Sequence, residues 1–156
     1  MTGITPFLWF DAEAEEAARF YVSLFPNSRI VDVAYYGPAG PGQEGSVMTV
    51  DFELDGRRFV ALNGGPVYTF TEAVSFQVAC ESQAEVDRYW AALSEGGEEG
   101  PCGWLKDRYG LSWQIVPAAL PGLLADPDPA RANRVFQAML QMGKLEIAEL
   151  ERAAAA

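Results

Sequence analysis

SVMTVDFELDGRRFVALN, residues 46–63, alternates through its first nine positions and then turns back on itself. Met48, Val50, Phe52 and Leu54 fall on one face, at the period of two that a half-buried strand needs. Asp55-Gly56 is a favoured two-residue hairpin turn, because both residues tolerate the positive φ that a type I′ turn demands. Residues 57–63 return as the second strand. That turn sets Phe52 opposite Phe59 and Glu53 opposite Arg58, an aromatic pair and a charge pair in register.

Working outward, residues 4–10 are a short apolar run that predicts a strand. In residues 11–25, Ala14, Ala17, Ala18, Tyr21 and Leu24 recur at helical spacing. Asp11 is the candidate N-cap, and acidic residues fill the first turn, where the helix dipole favours them. Residues 29–36 predict another strand, and the glycine-rich 37–45 a mobile loop. The first module, 4–63, therefore reads β-α-β-β-β. Residues 64–73 form a linker.

The pattern then repeats over 74–116. A strand at 74–80 precedes a helix that opens on Ser82 with Glu85 three residues on, a capping box. Val86, Tyr89, Trp90 and Leu93 are its apolar stripe, and Gly96-Gly97 ends it. Residues 98–108 form a weaker segment, 107–110 a turn and 111–116 the last strand. Residues 117–156 predict a helical extension, with Asp128 before Pro129 as a helix start. The expectation is one α+β domain over 1–156, two βαβββ modules with a helical C-terminal extension.

Composition narrows the function. With 22 acidic and 11 basic residues the net charge is -11, which predicts no nucleic-acid partner and no anionic membrane surface. His is absent, so no Ser-His-Asp or Cys-His nucleophile of the usual form can be built, and no His-containing zinc or iron site. Cys80 and Cys102 are too few for a disulfide framework and read as cytosolic thiols, Cys80 in the core. The start, MTGITPFLWFDAE, carries no basic segment and no long apolar run, so no secretion signal is expected and the assignment is cytoplasmic.

Three stretches resemble a known family: TPFLWFDAEAEEAARFYVSLFP (5–26), CGWLKDRYGLSWQIVP (102–117) and AMLQMGKLEIAEL (138–150). They are similar to the PhnB-like branch of the vicinal oxygen chelate superfamily, the fold of glyoxalase I, bleomycin-resistance proteins and extradiol dioxygenases. Members of that branch often carry the name 3-demethylubiquinone-9 3-methyltransferase. That chemistry does not fit here, because no glycine-rich turn leads from a strand into a helix to hold S-adenosylmethionine.

The resemblance implies a cavity fed by the first and last strands of each module. Metal-using members take His, Gln or Glu there. Carried over, the positions are Phe7 with Trp9, Asn63, Ser75 or Gln77, and Gln114. Alternation gives part of the set independently. Ser75 and Gln77 face away from Phe76, Val78 and Cys80, while Ser112 and Gln114 face away from Trp113 and Ile115. Amides and hydroxyls beside aromatic walls suit a small organic ligand and leave a metal ion's charge uncompensated, so neither a metal nor another cofactor is expected. Lys106, Asp107 and Arg108 are a solvated turn or rim residues, one of which could hold an anionic ligand. Three functions stay open: binding a small molecule in a metal-free cavity, a metal-independent lyase or isomerase, and a degenerate dimeric scaffold. A homodimer is expected, from the resemblance and from the apolar tail residues Met139, Leu140, Met142, Leu145, Ile147 and Leu150.

Overall fold

The structure, a computed structural model, describes residues 3–156. It divides into two compact units, residues 1–70 and 71–156, with the division inside the expected linker. In unit 1, β1 (Phe7–Phe10), α1 (Ala14–Leu24), β2 (Arg29–Tyr35), β3 (Val47–Leu54) and β4 (Arg57–Asn63) form one helix and a four-stranded sheet ordered β1-β4-β3-β2. Unit 2 repeats this with β5 (Ser75–Cys80), α2 (Gln83–Ser94), β6 (Glu98–Glu99), β7 (Trp104–Lys106) and β8 (Ser112–Pro117), ordered β5-β8-β7-β6. In each sheet the first strand pairs parallel to the last, and the rest are antiparallel.

The β3–β4 hairpin has the expected register. Phe52 pairs with Phe59, their rings stacked 5.6 Å apart, and Glu53 pairs with Arg58. Asp55 and Gly56 both have positive φ, 50° and 72°, as a type I′ turn needs. The charges do not pair across this hairpin's register. Arg58 reaches its diagonal neighbour Asp51 at 2.7 Å, and Glu53 takes its direct partner on β2, Arg29, at 3.1 Å. Val50, Phe52 and Leu54 bury one face of the sheet, as do Ala14, Ala17, Ala18 and Tyr21 on α1.

Two local expectations change in unit 1. Asp11 does not cap α1. Glu13 holds the cap position without a side-chain bond to the helix N–H groups, and Asn63 Oδ1 on β4 accepts the Ala14 N–H at 2.8 Å instead. The glycine-rich loop is held around Tyr36. Its hydroxyl donates to Asn63 O at 2.5 Å, its backbone pairs with Gly45 and Ser46, and a side chain at Gly40 or Gly42 would strike its ring.

In unit 2, Ser82 caps α2, its Oγ accepting the Glu85 N–H at 3.2 Å. Val86, Tyr89, Trp90 and Leu93 are buried, as are Leu105, Trp113 and Ile115 on the sheet. The extension forms α3 (Leu120–Leu124), α4 (Pro129–Leu140) and α5 (Ile147–Ala155), with Asp128 capping α4 as expected. Its apolar residues turn inward. Val135, Leu145 and Leu150 are buried with Val116 and Leu120, and Met139 and Met142 pack against them. Gln83 fixes the segment before α5, donating to Leu145 O at 3.1 Å and accepting the Ile147 N–H at 2.8 Å. The tail's contribution to the dimer argument is thereby corrected: most of the surface assigned to a partner covers unit 2 itself, although Phe136 and Leu140 stay exposed. No helix among the described residues is long and apolar enough to cross a membrane.

Candidate functional site

Strand register sorts the candidates by face. In unit 1, Phe7 pairs with Val60 and Trp9 with Leu62, on the sheet face opposite α1. Phe7 is 62% exposed. Trp9 is half-buried, its indole N–H donating to Gly65 O at 2.9 Å and its ring meeting Tyr68 edge-on at 5.0 Å. Asn63 pairs with Phe10 and so lies on the other face, where it caps α1 and also donates to Val47 O at 3.2 Å. The structure does not bring it together with Phe7 and Trp9. A one-residue difference in register is enough to exchange the faces of a strand.

In unit 2 the four polar candidates do come together. Ser75 pairs with Ser112 and Gln77 with Gln114, all on the face opposite α2. Gln114 Nε2 donates to Ser75 Oγ at 2.8 Å, and Gln77 approaches Gln114 Oε1 at 3.4 Å. Register then carries this face further along the sheet. Trp104 pairs with Gln114, Lys106 with Ser112, and Glu98 with Lys106. A cavity of about 390 Å³ opens there, with Trp104, Lys106, Ser112, Glu72 and Glu98 in its wall and Cys102 beside them. An apolar contact comes from Pro101.

Ser112 is 1% exposed, and its hydroxyl has no hydrogen-bond partner. A buried hydroxyl without a partner costs about 1–3 kcal/mol, so its place in a cavity wall is informative. Lys106 Nζ makes a close ion pair with Glu72 and stands 3.8 Å from Glu98. The Lys106 bond holds the Glu72 carboxyl below the usual carboxylate range, and Glu72 in turn holds the lysine above its ordinary value. Both groups are charged at neutral pH.

The other two rim candidates lie elsewhere. Asp107 is 2% exposed. Its Oδ1 accepts the N–H groups of Tyr109 at 2.8 Å and Leu111 at 3.1 Å, and its Oδ2 accepts the Trp113 indole N–H at 2.9 Å. It organises the β7–β8 turn from inside, because a carboxylate is the natural acceptor for several converging donors. Arg108 stands 3.8 Å from Glu95, outside the cavity wall. Burial pushes the Cys80 thiol up to about 11, which suits a core residue.

Trp104, Glu72 and Glu98 were not among the sequence candidates. Trp104 and Lys106 flank the inward Leu105, and that alternation is the available signal, weakened because β7 is only three residues long. Glu72 lies in the linker, where no periodicity could place it. The chain has no His, and no group of three His, Cys, Asp or Glu side chains among the described residues could hold a metal ion.

A PhnB protein from Bacillus cereus that carries the methyltransferase name is 39% identical, with a TM-score of 0.67, covering 75% of this chain and 100% of its own. Protein PA1353 from Pseudomonas aeruginosa is 20% identical over 75% of this chain and 98% of its own, with a TM-score of 0.62. The fosfomycin resistance protein FosX from Mesorhizobium loti is 15% identical over 81% and 99%, with a TM-score of 0.56. The last two show the fold alone, the glyoxalase-like fold. No curated protein matches. Both sheets are mixed, ordered β1-β4-β3-β2 and β5-β8-β7-β6, which is not the doubly wound parallel order of a dinucleotide-type site. The family described as 3-demethylubiquinone-9 3-methyltransferase matches residues 2–116, well over half of the sequence, and the chain belongs to that PhnB-like family.

Proposed function

We propose that the chain binds a small organic molecule, without a metal, in the cavity on the open face of its second sheet. The observation that carries this is Ser112, a buried hydroxyl with no partner in the wall of a cavity of drug-like volume. Trp104 and Pro101 supply apolar wall, and Ser112 supplies a directional group. Binding is favoured over catalysis by the state of the ionisable groups. A general base works best with a pKa near the operating pH, and Glu72 and Lys106 are both moved away from it. The test is a thermal-shift screen against metabolites and aromatic antibiotics, followed by Ser112→Ala. The variant should keep or raise the melting temperature without ligand, because it removes an unpaired polar group. It should weaken the ligand found about five- to tenfold, the worth of one hydrogen bond. Unchanged affinity refutes the reading.

The proposal includes a homodimer. Phe7 and Tyr35 are 62% and 58% exposed in unit 1, apolar surface that a second copy could cover. Sedimentation equilibrium at low micromolar concentration checks it, and a stable monomer near 17.0 kDa counts against it.

A further inference from the structure

The cavity's charge is unbalanced. Glu72, Glu98 and Glu99 line it against one cation, Lys106. Glu99 Oε1 accepts the Trp90 indole N–H at 3.0 Å, a neutral donor that leaves its charge in place. Lys106 is shared by Glu72 and Glu98, so its charge is already spent. An anion entering here would meet a paired lysine and an excess of carboxylate. A cation would meet two carboxylates, one of them 3.8 Å from its present partner, and the ring of Trp104, which can attract a cation across its face. The buried Ser112 hydroxyl can accept a hydrogen bond from an ammonium. The chain's net charge of -11 adds a long-range field of the same sign.

We infer that the ligand of this cavity is an organic cation, an amine or ammonium on an apolar body, held between Glu72, Glu98 and Trp104 with Ser112 as hydrogen-bond acceptor. This rests on the proposed binding role of the same cavity. Lys106 acts as an internal counter-ion that competes with the ligand for the carboxylates. It is not an anion clamp.

The test uses the whole chain and three probes with one body: naphthylmethylammonium, naphthylmethanol and naphthylacetate. Binding is measured by calorimetry at low and high salt, and the site is reported by the indole N–H NMR signal of Trp104. The ammonium should bind at least about threefold more tightly than the alcohol, with the carboxylate weakest. Salt should shrink the difference, because these groups are partly exposed. Lys106→Met should tighten the ammonium by about two- to fivefold, the scale of one exposed ion pair, since it frees both carboxylates. Glu72→Gln with Glu98→Gln should level or invert the order. An alcohol that matches the ammonium, a carboxylate that binds tightest, or a Lys106→Met variant that weakens the ammonium overturns the cation assignment and leaves the binding role standing. If no probe moves the Trp104 signal, the binding role falls too. Circular dichroism of each variant confirms that it is folded.

Discussion

Replacing Asp107 separates a structural carboxylate from a ligand-binding one. Three donors converge on it: two backbone N–H groups of its own turn and the indole of Trp113, at 2.8, 3.1 and 2.9 Å. A hydrogen bond to a charged group contributes about 1.5–3 kcal/mol, so three would sum to about 4.5–9 kcal/mol if independent. They are not independent, since they share one side chain and one turn. Asp107→Ala also strands the buried Trp113 indole N–H. The expected loss is about 3–5 kcal/mol, below the independent sum and above the ~1–3 kcal/mol of one stranded buried donor. Asp107→Asn keeps one oxygen for the backbone donors and turns an NH₂ toward Trp113, which predicts an intermediate loss of about 1–3 kcal/mol. Urea unfolding followed by far-ultraviolet circular dichroism measures both, with the m-value compared across variants. A loss under about 1 kcal/mol for Asp107→Ala would refute the internal role. A rim role would instead leave the unfolding midpoint in place and change only ligand affinity.

Gln83→Ala should cost about 1–3 kcal/mol, because it removes the donor to Leu145 O and the acceptor for Ile147 N–H that fix the tail to α2. Proteolysis should then begin within 141–156, and an unchanged cleavage pattern would count against the latch. Cys80 should resist thiol-labelling reagents in the folded chain at pH 8, since it is 1% exposed and its thiol is pushed up to about 11. The same thiol predicts an alkaline dependence. Its folded value lies above the unfolded one, so the stability it contributes is whole below pH 9.0 and is lost as pH rises toward about 11. Cys80→Ala should flatten that part of the stability curve, and an unaltered slope would contradict it.

The fold was legible because its signals were local. Asp55-Gly56 with alternating strands on either side specifies the hairpin down to the pairing of Phe52 with Phe59. Ser82 and Glu85, and Asp128 before Pro129, mark helix starts through chemistry contained in four residues. The α1 cap failed for the opposite reason. Its acceptor, Asn63, is 49 residues from Ala14, and only the assembled sheet brings it there. The destination of the tail was not legible for the same reason. Its apolar residues are evident in the sequence, but their target, Val116 and Leu120, is set by tertiary packing.

The site was half legible, and where legibility stopped is physical. Alternation along two six-residue strands assigns Ser75, Gln77, Ser112 and Gln114 to one face, because a period of two over that length leaves no ambiguity. A strand end is less secure, and Asn63, the last residue of β4, falls on the face of α1. Asp107, Lys106 and Arg108 are consecutive, and sequence alone gives no order among them. The turn sends the first inward to its donors, the second to the cavity and the third toward Glu95. The order matters chemically. With Asp107 consumed by the turn and Lys106 matched by carboxylates from the linker and from β6, the neutral Ser112 hydroxyl is left as a buried polar group of that wall without a partner. A neutral acceptor among excess carboxylates is an environment for positive charge, and the negative chain as a whole points the same way.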